Sequence, residues 1–223
     1  MTESRTLVEH QFATLHQQHE AATLGMWLFL ATEIMVFGAL IGCYLTYRTV
    51  YPEAFDATSG HLNVAIGGIN TVVLLTSSLT MALSFYAVQA GRRTMLLWCL
   101  ALTALLGTAF LALKGVEYHS DYVDGLMPLV SFDREVWTGQ GIDPKHVELA
   151  LAFYYFMTLL HALHLTVGIA LILYLMIGVV RKNITPEHYM PVEVIGLYWH
   201  FVDVVWIFLL PLLYVLGTHR FPS

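Results

Sequence analysis

Glu33, Glu117, His161, His164, His200 and Asp203 are ionisable side chains that stand inside long apolar runs of this sequence. His161 and His164 are three residues apart, which puts them on one helical face, and two imidazoles so placed could ligate a metal or line a proton path. A haem or copper centre would recruit further ligands, and His200 is the one other histidine inside these runs. Hydrogen bonding between helices or contact with lipid therefore stands ahead of metal ligation. Asp203 follows His200 by three residues and could pair with it, reach a neighbouring span or bind a lipid head group. Trp199 and Trp206, seven apart, share another face, and Trp199 reads as an anchor at the bilayer interface. Glu33 lies near Gly25, Gly38 and Gly42, small residues that let helices approach closely, so its span is expected to pack against another. Its carboxyl reads as buried, neutral or hydrogen-bonded across helices, with proton handling as the alternative. Nothing in the sequence matches a nucleotide-binding glycine motif, a nucleophile beside its base, or a ligand set adequate for a redox centre.

The elements that position these residues follow from composition. Hydrophobic residues make up 57% of the chain and charged ones 12%, a balance that excludes a soluble domain. A span needs roughly 20 apolar residues, and five runs qualify, at about 21–47, 62–91, 94–118, 149–180 and 194–217. In hydrocarbon such runs must be helices, so the expected fold is an all-α integral membrane bundle of five transmembrane helices in one membrane domain. Ser and Thr in the second run are expected to satisfy backbone carbonyls or neighbours. Residues 119–147, rich in Asp, Gly and Pro, read as a long exposed outer loop, an acidic solvated surface.

With five alternating spans, Arg92, Arg93, Arg181 and Lys182 share one side, which the positive-inside rule makes cytoplasmic together with the N-terminus, leaving the C-terminus outside. Residues 1–20 form a polar cytoplasmic start without the basic-then-apolar order of a cleaved signal peptide, so the first span is expected in the mature chain. The net charge of -6 gives no basic footprint for nucleic acid. Cys43 and Cys99 read as small buried hydrophobes.

Tyr198-Trp199-His200-Phe201-Val202-Asp203-Val204-Val205-Trp206 closely resembles the most characteristic stretch of subunit III of cytochrome c and quinol oxidases. Gly25-Met26-Trp27-Leu28-Phe29-Leu30-Ala31-Thr32-Glu33 is similar to that family's opening segment. Thr158, His161, Leu163 and His164 resemble its Thr-Gly-x-His-Gly-Leu-His stretch, and Glu117-Tyr118 a glutamate-tyrosine pair at the end of the preceding helix. The motifs touch four spans in the family's order, and five spans correspond to the form without two extra N-terminal helices.

The resemblance implies a noncatalytic subunit of a proton-pumping haem-copper terminal oxidase in the bacterial inner (plasma) membrane. It implies no haem or copper in this chain, both being held by partner subunits. It implies docking on the catalytic subunit I beside other oxidase subunits, within a larger respiratory supercomplex. It further implies a V-shaped pair of two and three helices with phospholipid in the cleft, and a role in sustaining proton uptake. Glu33, His161, His164, His200, Asp203, Trp199 and Trp206 would then be lipid-binding or interhelical polar residues, and Glu117 an interface or proton-related one. Departures are Ala65, where many members carry a carboxylate, Leu159 and Ala162, where glycines are common, and the long acidic loop. Either cytochrome c or quinol fits as electron donor. The competing readings are an accessory membrane protein of a nitric oxide reductase and a free-standing haem or metal membrane enzyme using His161, His164 and His200. A transporter lacks support, since no inverted repeat is visible.

Overall fold

A computed structural model describes residues 12–62, 64–128, 130, 132, 134–139 and 141–215. Glu3, Glu9 and His10 of the polar start, Asp133 of the acidic loop, and the end of the fifth run beyond 215 lie outside the described residues. Among the described residues there are seven α-helices and no strand: α1 Leu15–Val50, α2 Pro52–His61, α3 Val64–Gln89, α4 Arg93–Val123, α5 Arg134–Gly139, α6 Pro144–Val180 and α7 Met190–Leu210. A π-helical turn, Pro211–Val215, continues α7.

Local chemistry sets the ends. The Thr14 hydroxyl accepts from the Gln17 N–H at 3.1 Å and so caps α1. Pro52 and Pro144 open α2 and α6, where a missing N–H leaves no bond unmade, and Asp143 caps α6 by accepting from the Lys145 N–H at 3.0 Å. Pro211 has no N–H to extend the α-helical ladder, and the regular pattern of α7 stops there.

The spans α1, α3, α4, α6 and α7 with its π-turn are long and apolar enough to cross a membrane. At 1.5 Å per residue α1 and α6 are each about 55 Å long, well beyond a hydrocarbon core of roughly 30 Å, so their ends project past it. The central span is α7: it packs on α1, α3 and α6, and 50% of its apolar window is buried against 17% for α1. A hairpin through Gly91 joins α3 to α4, and α4 closes on α6.

Three expectations need correction. Gly25, Gly38 and Gly42 do not seat α1, since nothing lies within 4 Å of a Cβ built on any of them. The face of α1 that packs carries Leu30, Phe37 and Tyr44, one every seven residues. Cys43 is exposed rather than buried, and Cys99 is only partly buried. The connection after the first span is a helix with its own interior: Phe55 stacks edge-on against Tyr44 at 5.1 Å, and Asp56 takes the Arg48 guanidinium. The outer loop shrinks at both ends, because α4 runs to Val123 and α6 starts at Pro144. What lies between is more than a solvated surface. Trp137 of α5, 1% exposed, packs with Ala54, Leu126, Val147 and Leu151 in a small second core at the end of the bundle that carries α2.

Candidate functional site

The polar residues between the spans fall into three groups. In the first, Lys114 and Glu117 lie one turn apart on α4, both facing inward, with Nζ 3.0 Å from Oε2. Tyr154 of α6 and Tyr214 of the π-turn close the set. Each phenol oxygen accepts from Lys114 Nζ, at 3.2 and 2.5 Å, and each hydroxyl donates to Glu117 Oε1, at 2.9 and 2.5 Å. All three ammonium hydrogens and both carboxylate oxygens are thus engaged. The ammonium also sits 5.0 Å from the centre of the Trp206 ring, on its face. A buried ion pair survives only with such geometry, because stripping water from two charges costs several kcal/mol each. One turn further, Tyr155 donates to Asp121 at 2.9 Å, and Tyr118 donates to Thr158, whose own hydrogen goes to the Tyr154 carbonyl. This cage ties α4, α6 and the end of α7 together, and every hydrogen of the Lys114 ammonium and of the Tyr154 and Tyr214 hydroxyls is committed within it.

The second group is the seam between α3 and α7. Trp199 Nε1 donates to Ser77 Oγ and Trp206 Nε1 to Thr71 Oγ1, both at 3.1 Å, while Ser78 Oγ lies 2.7 Å from His200 Nδ1. Trp199 is therefore no interface anchor. It is 0% exposed, and its indole fills a slot cut by two glycines, where a Cβ on Gly107 of α4 or Gly168 of α6 would come within 2.7 or 2.9 Å of the ring. Asp203 shares the face of the tryptophans, because 199, 203 and 206 are spaced by four and three. It does not pair with His200, which Ser78 occupies. Asp203 is 2% exposed, and neither carboxylate oxygen makes a hydrogen bond of good geometry among the described residues; its polar neighbour is Ser78, which it shares with His200. Asn70 and His161 are buried in the same condition.

The third group joins α1 to α6. His164 Nε2 stands 3.0 Å from Glu33 Oε2, and its Nδ1 is 2.8 Å from the Leu160 carbonyl. A carbonyl only accepts, so Nδ1 carries a hydrogen and donates it. Nε2 facing a carboxylate oxygen then requires one further proton between them, on the ring or on the carboxyl. Glu33→Leu is expected to lose the roughly 0.6–1.7 kcal/mol that an interhelical hydrogen bond contributes inside a membrane, read as a lower midpoint of thermal unfolding in detergent, whereas Glu33→Gln retains an acceptor and most of that stability; equal midpoints for all three chains would contradict this.

His161 and His164 do not converge. The His161 ring packs between Phe110 and Trp206, at 5.5 and 5.2 Å, on the α4–α7 side, while His164 turns to α1. Among the described residues no three His, Cys, Asp or Glu side chains meet as a ligand set. Sequence reasoning found Glu117 but missed Lys114, Tyr154 and Tyr214. Lys114 was legible as a cation three residues before that carboxylate; the two tyrosines belong to other helices and carry no such signal.

The family described as Cytochrome c oxidase subunit III matches residues 2–125 and 149–218, nearly the whole chain. The chain belongs to this family. Among its relatives are a Cytochrome c oxidase subunit 3 from Alkalihalophilus pseudofirmus, 34% identical over 87% of this chain and 86% of that protein, and a Probable quinol oxidase subunit 3 from Staphylococcus haemolyticus, 27% identical over 87% and 88%. A Cytochrome bo(3) ubiquinol oxidase subunit 3 from Pseudomonas putida is 28% identical over 91% of this chain and 89% of that protein. The match to the subunit III family leaves out residues 126–148, the segment that holds α5 and its buried Trp137. All three polar groups lie on stretches within the match.

Proposed function

We propose that this chain is the noncatalytic third subunit of a haem-copper terminal oxidase, docked on the catalytic subunit I, with haem and copper in its partners. Membership of the subunit III family over nearly the full length carries the reading. The geometry supports it. The motif residues are spent on joining helices: Trp199 and Trp206 hold α7 on α3, and His164 holds α6 on α1. Asp203, His161, Trp199 and Trp206 are at most 2% exposed, too deep to meet lipid or a partner directly; of the polar site residues, Glu33, His164 and His200 are only partly buried and can do so. A V-shaped grouping with lipid in its cleft belongs to the same reading, supported by the shallow seating of α1. The termini are assigned to the cytoplasm and the outside by the placement of Arg92, Arg93, Arg181 and Lys182, in a bacterial inner membrane.

The test is purification of the tagged chain in mild detergent, with identification of its partners and optical spectra before and after dissociation. Haem absorption is expected to travel with a larger partner, the isolated chain being colourless. An isolated chain that holds haem would overturn the reading in favour of a free-standing enzyme, and a nitric oxide reductase as partner would replace the oxidase.

A further inference from the structure

Rings that can be oxidised by one electron run through the polar cage in an unbroken series. Tyr118 meets Tyr155 with ring centres 5.3 Å apart, Tyr155 meets Tyr154 at 5.0 Å, Tyr154 meets Tyr214 at 6.0 Å, and Tyr214 meets Trp206 at 6.5 Å. Rings in such contact exchange electrons once one of them is oxidised. A phenol gives up an electron at neutral pH only when its proton leaves too, so the base that its hydroxyl faces decides whether a tyrosine is redox-active.

Two carboxylates face these hydroxyls. Glu117 takes those of Tyr154 and Tyr214, but Lys114 already matches its charge, with Nζ 3.0 Å from Oε2. Asp121, 7% exposed, takes the Tyr155 hydroxyl at 2.9 Å and forms no ion pair among the described residues. The lysine sorts the rings as well. Its ammonium lies over Tyr118, Tyr154, Tyr214 and Trp206, at 5.9, 5.3, 5.1 and 5.0 Å from their centres. A positive charge on a ring face opposes the loss of an electron from that ring. Tyr155 is the ring of the series that the ammonium does not cover, and it is only partly buried, where it packs against the second core.

We infer that Tyr155 is a redox-active tyrosine, which gives one electron to a strong oxidant while its proton passes to Asp121. The Tyr155 O–H bond breaks and an O–H bond forms on Asp121. The phenol becomes a neutral phenoxyl radical, and the oxidant is reduced by one electron. Tyr154, Tyr214 and Trp206 carry the electron through the bundle. The oxidant is high-valent haem iron, the class formed when peroxide meets a haem, and its presence rests on the reading of this chain as an oxidase subunit. The competing account makes the Tyr155–Asp121 bond a tie between α6 and α4 and nothing more.

The assembled, tagged complex is treated with hydrogen peroxide and a nitrosoalkane spin trap, digested, and its adducts are located by mass spectrometry. An adduct is expected on Tyr155, and it is expected to vanish when cyanide blocks the haem. Asp121→Asn keeps an acceptor for the Tyr155 hydroxyl but cannot take its proton, so haem content and assembly stay normal while the adduct is lost. An adduct of wild-type yield in Asp121→Asn overturns the inference, because a purely structural bond predicts that result. So does an adduct that persists with the haem blocked, or a haem-bearing complex with no adduct on this chain. Should Asp121→Asn fail to assemble, freeze-quenched Tyr155→Phe decides by electron paramagnetic resonance: the tyrosyl signal formed by peroxide falls below that of the wild type, and an unchanged signal overturns the site. A complex that carries no haem defeats the accessory-subunit reading instead, and its optical spectrum shows this before peroxide is added.

Discussion

Lys114→Met is expected to cost the folded chain about 3–5 kcal/mol, the penalty for removing one partner of a buried ion pair. The substitution strands Glu117, 5% exposed, with two phenol hydroxyls and no cation. Glu117→Leu strands the ammonium in the same way. The double variant Lys114→Met/Glu117→Leu removes both charges, and replacing a buried pair by apolar residues of similar volume is often neutral or stabilising; it is expected to recover most of the loss. Thermal unfolding of the detergent-purified chain gives the four stabilities of the cycle. A coupling between the two positions near zero, with the double variant as unstable as the sum of the singles, would show that the pair does not hold α4, α6 and the π-turn together. Recovery in the double variant with normal assembly would also show that the ion pair is not itself used in the oxidase.

Gly168→Leu should be nearly as damaging, for a steric reason. The Cβ alone comes within 2.9 Å of the Trp199 ring, and the indole has nowhere to go, since the Gly107 backbone forms the other wall, so near that a Cβ there would lie 2.7 Å from the ring. Overpacking of this kind costs typically 1–3 kcal/mol, and more where α7, the central span, must move. The chain is expected to be recovered in lower yield and to fail to hold its partner. Gly168→Ala combined with Trp199→Phe supplies the counter-test: the smaller ring vacates part of the space the new methyl needs, so the double variant should be more stable than Gly168→Ala alone. If the tryptophan change only adds to the damage, the glycine serves something other than this slot.

The five spans were legible because membrane insertion depends on local composition: each run of roughly 20 apolar residues must form a helix by itself, whatever it later packs against. Family membership was legible for a related reason, since Tyr198 to Trp206 is a contiguous stretch whose residue types and order carry the likeness. Polar partners were not. Asp203 read as a mate for His200 by spacing, yet helical geometry puts 199, 203 and 206 on one face and gives His200 to Ser78. The glycines of α1 read as a packing face and lie in the open, while Gly107 and Gly168, unremarked in the sequence, make the tightest contacts on Trp199. Loop residues misled likewise, because Trp137 gains its burial from Ala54, Val147 and Leu151, brought to it by α2 and α6.

Sequence by itself determined what each segment had to be: which runs are long and apolar enough to cross the membrane, and which family the chain joins. Those properties are written in consecutive residues and in the bilayer's intolerance of unpaired backbone. Only the tertiary structure decided which side chains meet. Lys114, Glu117, Tyr154 and Tyr214 come from three elements, with up to 100 residues between the partners of one bond, and a hydrogen bond depends on the register and rotation of whole helices, which no local pattern states.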